Sequence, residues 1–234
     1  MSLNNRHKPQ YKYFLKLREN VQGNPKFFNF KRKKWGTLIN RLTLSKSYKF
    51  FNHSLYQVSR NARPLKNLHR SQLATKQRLN LFYGKLTNKY LKTISRRAFV
   101  KSKLKSIKQG AADFFLNSLE ARLDTIIYRA HFVSSVSTAK QWVTHGNVYV
   151  NNKKVFCSNY LLKQGDLVRI SKKMHVTVQQ TLLKSKLWPS PPIHLEIDFK
   201  TLSIYKTQDS SLIDLSGYFP FWLNLKGVLS NYKK

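Results

Sequence analysis

The amino-acid sequence predicts an α+β protein in three parts. Residues 1–112 form a mainly helical, basic domain, residues 113–173 a small helix–helix–sheet unit, and residues 174–234 a C-terminal extension of short strands and loops. Three observations predict it. Apolar residues recur at three- and four-residue spacing between residues 73 and 145, the pattern changes to alternation with tight-turn residues from 146 onward, and positive charge is concentrated before residue 113.

The charge bounds what the chain can do. Its 234 residues carry 44 Lys plus Arg against 9 Asp plus Glu, a net charge of +35. Residues 1–112 hold 28 of those cations and a single acid, Glu19, whereas residues 113–234 hold 16 cations and 8 acids. A compact chain so charged repels itself and calls for a polyanionic partner. It is not a disordered basic tail, because 41% hydrophobic and 13% aromatic residues suffice for a packed core. No run of about 18 apolar residues exists, and mean hydropathy is −0.49, which excludes a membrane span. The one cysteine, Cys157, cannot pair within the chain.

In the N-terminal region, Arg32, Lys33 and Lys34 form one basic run, and Lys101, Lys103, Lys105 and Lys108 another. Aromatic residues are interleaved with the charge at Tyr11, Tyr13, Phe14, Phe27, Phe28, Phe30, Trp35, Tyr48, Phe50 and Phe51. They fit core anchors better than stacking platforms for unpaired bases, which stay the alternative. Leu79, Phe82, Tyr83, Leu86, Tyr90 and Leu91 make the apolar stripe of a helix between Leu73 and Leu91. A second helix is expected from Ile94 to Ile107, with Arg96 and Arg97 among its cations, ending before Gly110.

From Asp113 to Ala130, Phe115, Leu116, Leu119, Leu123, Ile126 and Ile127 describe one amphipathic helix. Thr138 with Gln141 three residues later fits a capping box for a short helix over 138–145, and Gly146 suits its left-handed C-terminal position. Val148 and Val150 alternate with polar neighbours, Asn151 and Asn152 make a tight turn, and Val155 resumes the apolar pattern. Gly165 and Asp166 turn the chain into a strand at 167–170. After the prolines of 188–192, His194–Ile197 and Leu202–Tyr205 read as short strands, and residues 193–234 as mostly β and loop.

The stretches LNSLEARLDTIIYRAHF and STAKQWVTHGNVYVNNKKVFCSNYLLKQGDLVRIS, within residues 116–171, resemble the RNA-binding fold named after small-subunit ribosomal protein four, the S-four family. The resemblance rests on Arg122, Leu123, Asp124, Tyr128, Arg129, Phe132, Ala139, Val143, His145, Gly146, Val150, Asn151, Lys154, Val155, Tyr160, Lys163, Gly165 and Asp166. Residues 76–92 are similar to the helix that precedes this unit in the ribosomal members. The resemblance implies a concave basic surface gripping structured RNA, with Arg122, Arg129 and Lys140 supplied by the helices, Lys153 and Lys154 by the turn, and Lys163 before the next turn. Arg32, Lys33, Lys34, Arg96, Arg97, His145, Asn151 and Tyr160 complete the expected RNA-binding set. His145 could equally satisfy carbonyls at its helix end. Asp124 is expected in an ion pair with Arg122 or Arg129. Ser134 and Val136 stand where the family usually carries basic residues, and Asn152 replaces the usual turn Gly.

Enzymes fit poorly. Arg122-Leu123-Asp124 resembles the active-site triplet of pseudouridine synthases, but the roughly 60 residues after Ile170 are too few for their catalytic domain. No phosphate-binding glycine loop is visible, and the seven histidines lack the short spacing of a metal site. Neither catalytic residues, metal nor cofactor is expected. The resemblance implies a structural protein of the small ribosomal subunit that binds the 5′ domain of its RNA at a multi-helix junction and acts early in assembly. It would sit near the channel where messenger RNA enters, beside neighbouring ribosomal proteins and with messenger RNA as a further partner. A free-standing RNA-binding or ribosome-rescue factor and a pseudouridine synthase relative are the alternatives. Lys outnumbers Arg 31 to 13, as AT-rich coding would give, and the N terminus does not resemble a cleavable presequence. The expected location is the mitochondrion, from an organellar gene, ahead of plastid and then bacterial cytoplasm.

Overall fold

The computed structural model describes residues 11–17, 21, 29–44, 65–104, 110–185, 191–210, 218–219, 221, 223–230 and 232. The expected features at Phe27, Phe28, Tyr48, Phe50, Phe51, Lys105 and Lys108 lie outside these residues. The described helices are α1 (Tyr11–Leu17), α2 (Lys33–Leu44), α3 (Leu65–Phe82), α4 (Asn88–Leu104), α5 (Ala111–Glu120), α6 (Leu123–Arg129), α7 (Val136–Thr144), α8 (His175–Ser185) and α9 (Leu225–Ser230). The strands are β1 (Val148–Val150), β2 (Lys153–Lys154), β3 (Leu167–Ile170), β4 (Leu195–Asp198) and β5 (Ser203–Lys206). They form one antiparallel sheet in the order β2-β1-β3-β5-β4. The molecule is α+β, as the patterning predicts.

Two apolar cores organise it. The first gathers Phe14, Trp35, Leu38, Leu79, Phe82, Leu91, Ile94, Phe115, Leu116 and Leu119, and is completed by Phe219, Phe221, Leu225, Val228 and Leu229. Phe82 meets Tyr83, Phe219, Phe221 and Tyr128 with ring centroids 5.1, 5.2, 5.8 and 5.9 Å away, mostly edge to face, the arrangement favoured by ring quadrupoles. The second core packs Ile126, Ile127, Ala139 and Val143 of α6 and α7 against the inner sheet face of Val148, Val150, Val168, Ile170 and Ile204. The alternation is the ordinary period of a strand with one buried face.

This division redraws the expected domains. Phe115, Leu116 and Leu119, assigned by sequence to the second unit, belong to the first core. The described residues after 174 are no separate extension: β4 and β5 complete the sheet of β1–β3, while Phe219, Phe221, Leu223, Leu225, Val228, Leu229 and Tyr232 return to the first core. They also contain two helices that the expectation of strands and loops missed. In α8, Val178 is the one fully buried residue among those described, with Leu182 partly buried four residues on, while the apolar Val176 and Leu183 face solvent at 64% and 82% exposure, so the apolar residues do not mark out a single readable stripe.

Two expected single helices are each broken in two. Between α3 and α4, Gly84 and Lys85 take positive φ of 74° and 58°, and the Lys85 N–H donates back to the Asn80 carbonyl at 2.8 Å, closing the helix end. Apolar spacing from Leu73 to Leu91 continues through this turn because both helices face one core. Between α5 and α6, Arg122 is extended and bridges Leu161, with the Leu162 N–H donating to the Ala121 carbonyl and Leu123 N–H to the Tyr160 carbonyl. Helix α7 begins two residues earlier than expected, because the Ser135 hydroxyl accepts from the Thr138 N–H and caps it. Gly146 follows α7 at φ +69°, as predicted.

Candidate nucleic-acid interface

The hairpin β1–β2 turns at Asn151 and Asn152, both left-handed at φ 48° and 67°, the geometry of a two-residue turn. The Asn151 amide donates to Asp166 at 2.8 Å, and its oxygen accepts from the Leu167 N–H at 3.0 Å. Asp166 in turn accepts from the Lys163 N–H at 2.7 Å. Asn151, expected to touch RNA, therefore spends its side chain joining the hairpin to the 163–167 turn. The joined turns hold Lys153, Lys154 and Lys163 out in solvent.

Register fixes the outer face. Tyr149 pairs with Lys154 on one side and Arg169 on the other, so all three project away from the buried row of Val150, Val168 and Ile204. The Arg169 guanidinium donates to the Asn152 side-chain oxygen at 3.1 Å. A cleft of about 530 Å³ opens here, lined by His145, Tyr149, Lys154, Arg169, Lys172 and Lys173 among others, and none of its lining residues is acidic. Four convergent cations without an acid in the lining have the chemistry to hold phosphate oxygens. Sequence reading missed Arg169, Lys172 and Lys173. Arg169 was recoverable, since alternation of Val168 and Ile170 inward sends it outward.

The structure corrects two expected contacts outright. Arg122 and Arg129 are 1% and 5% exposed and cannot meet RNA on a surface. Arg122 donates two bonds to Asp124, at 3.0 and 2.6 Å, and lies 5.0 Å from the Tyr90 ring centroid. Arg129 donates to Glu120 at 3.0 and 2.6 Å and to the Tyr218 carbonyl at 2.8 Å, between the rings of Phe82 and Phe219 at 4.8 and 4.9 Å. The Tyr83 hydroxyl also donates to Glu120. Burial alone would raise the Glu120 carboxyl, but the Arg129 guanidinium overrides it and holds it below the usual value. Both arginines stand on the inward side of the α5–α6 break, which the reading of one continuous helix could not reveal.

Lys140 is only half available. Its ammonium donates to the Gly84 carbonyl at 3.0 Å and lies 4.0 Å from Asp124, tying α7 to the α3–α4 turn. Burial lowers its pKa, Asp124 opposes that shift and Arg122 adds to it. The remaining expected residues are exposed: Arg32, Lys33 and Lys34 at the start of α2, Arg96 and Arg97 on the solvent side of α4, His145 after α7, and Tyr160 at 40% exposure. Of the interleaved aromatics, Phe14 and Trp35 are core and Phe30 packs beside Trp35, while Tyr13 is 47% exposed with Lys85 over its ring.

Residues 121–168, the α6–β3 unit that carries this face, match the S4 domain. Similarity extends well outside it. The small ribosomal subunit protein uS4 of Cereibacter sphaeroides (strain ATCC 17025 / ATH 2.4.3) is 30% identical over 167 residues, covering 70% of this chain and 76% of that protein. The chain belongs to the uS4 family. The uS4m protein of Reclinomonas americana, a mitochondrial member, is 35% identical over 170 residues, covering 69% of this chain and 64% of its own length. The uS4 of Paracoccus denitrificans (strain Pd 1222) is 32% identical over 148 residues, covering 62% and 68%. This uS4-family chain thus resembles bacterial and mitochondrial members alike, and its family is one of structural, non-enzymatic proteins. Among the described residues no helix is long and apolar enough to cross a membrane.

Proposed function

We propose that this uS4-family chain is a structural constituent of the small ribosomal subunit that binds and organises its ribosomal RNA, in contact with neighbouring ribosomal proteins. One observation carries the reading: an acid-free cleft whose cations are held by strand register and by the Asn151–Asp166 link, on a chain of net charge +35. Such an array positions phosphates of a folded RNA instead of coating any polyanion. Its RNA-facing set is Arg32, Lys33, Lys34, Arg96, Arg97, His145, Lys153, Lys154, Tyr160 and Lys163, joined by Arg169, Lys172 and Lys173. Arg122, Lys140 and Asn151 act by shaping that surface, whereas Arg129 ties α6 to Glu120 and Tyr218 in the first core.

Within the subunit, the proposed target is a multi-helix junction of the 5′ RNA domain, bound early in assembly, near the channel where messenger RNA enters. The proposed location is the mitochondrial ribosome, with the gene in the organelle, on the strength of Lys outnumbering Arg 31 to 13 and of the similarity to uS4m. Sedimentation of small subunits through gradients of rising salt tests the reading. A constituent stays with the subunit at one copy each through moderate salt. A chain that washes off or is substoichiometric is a transient factor, and the proposal fails.

A further inference from the structure

We propose that Phe156 is a stacking platform for one unpaired base of the ribosomal RNA, at the rim of the cationic cleft; this rests on the RNA-binding reading above. Phe156 is 59% exposed, unlike the buried aromatics of either core. A lone exposed ring is ordinary on a protein surface, but this one is held in place from beneath. Gly146 has no side chain, and a Cβ there would lie 2.7 Å from Phe156 Cε1 and 3.0 Å from Lys154 Cε, so the ring rests on the glycine backbone. The Lys154 ammonium stands 5.8 Å from the ring centroid. Gly146 and Lys154 both line the cleft, with His145, Arg169, Lys172 and Lys173. An aromatic face fixed beside convergent cations matches a nucleotide in two parts: the base stacks on the ring and its phosphate meets the cations. A duplex, whose bases are already stacked, offers the ring nothing, so the occupant is single-stranded. An apolar protein neighbour would have no use for four adjacent cations.

The test titrates the full-length chain against a transcript of its own organism's small-subunit ribosomal RNA at several salt concentrations. Phe156→Ala is expected to weaken binding about tenfold at every salt, with the slope of log affinity against log salt and the thermal midpoint of the free protein unchanged. Phe156→Tyr should restore the affinity. Lys154→Gln should instead flatten the slope by roughly 0.7–0.9, the change for one lost phosphate contact. If Phe156→Ala binds like the parent while Lys154→Gln is weakened, stacking is wrong and the RNA-binding face stands. If Lys154→Gln and Phe156→Ala both leave affinity and slope unchanged, the face itself is wrong. If Phe156→Ala spares RNA affinity but blocks addition of the next ribosomal protein in reconstitution, the ring serves a protein contact and the proposal is overturned.

Discussion

Replacing Arg129 with Met should destabilise the protein severely without touching its RNA surface. The side chain is 5% exposed and makes two bonds to Glu120, one to the Tyr218 carbonyl, and contacts with two aromatic faces. Its removal strands Glu120, which is 0% exposed, with the Tyr83 hydroxyl as its remaining side-chain hydrogen-bond donor among the described residues. Breaking one side of a buried pair costs about 3–5 kcal/mol, most of it from the abandoned charge. Glu120→Met should cost a similar amount for the opposite reason. The double variant removes both charges and is expected to lose clearly less than the two single losses combined, leaving a coupling of about 2 kcal/mol or more. Urea unfolding of the four proteins at one salt concentration, followed by circular dichroism, measures the cycle. Additive losses, or an Arg129→Met cost below about 1 kcal/mol, would refute the assignment of this pair as the buried tie between α5, α6 and the C-terminal segment. Reduced salt dependence of RNA binding in Arg129→Met would refute its removal from the RNA-facing set.

Three further outcomes are expected. Because the folded Glu120 and Asp209 carboxyls are held below their ordinary values by Arg129 and Lys206 against the opposing effect of burial, the stability they supply is full above the unfolded value of about 4 and drains away as pH falls below it. Urea midpoints measured through that range should fall, and Glu120→Gln should flatten the fall; a midpoint indifferent to acid contradicts the argument. Gly84→Ala should destabilise by about 1–2 kcal/mol in the same assay, since φ is +74° and the new Cβ would stand 3.0 Å from Val136 Cγ1; a neutral effect would mean that the turn relaxes freely. Lys153→Glu with Lys154→Glu should abolish specific ribosomal RNA binding in filter titrations at fixed salt while leaving the fold intact, because both side chains are exposed; unchanged affinity removes the hairpin from the interface.

Much of the sheet and its turns was legible because short-range chemistry decides them. Asn151, Asn152, Gly146 and Gly165 all sit at positive φ, where their residue types allow it cheaply, and alternation from 148 to 170 sorts inward from outward side chains. The α3–α4 break carried a local sign in Gly84, masked by apolar spacing that runs on through the turn. The α5–α6 break was not legible, because a long-range backbone bridge between Arg122 and Leu161 ends α5 and no local residue announces it. That one miss propagated to the site: a continuous amphipathic helix sets Arg122 and Arg129 on its polar face, whereas the break turns both inward to Asp124 and Glu120. An ion pair of Asp124 with Arg122 or Arg129 was expected, but residues two apart on a continuous helix do not face each other; the extended Arg122 at the break makes that pair possible, and the Glu120 cluster draws on Tyr83 and Tyr218, far away in sequence. The cleft likewise joins residues 145–154 to 169–173 only through strand pairing.

The return of Phe219, Phe221, Val228 and Leu229 to the first core sets an order on how the chain can mature during its own synthesis. Translation delivers every residue of the second core, the latest being Ile204, before Phe219 exists. The S4 unit can therefore close while the nascent N-terminal helices still display the apolar surface of Leu79, Phe82 and Phe115. That surface stays open until the last core aromatics leave the exit tunnel.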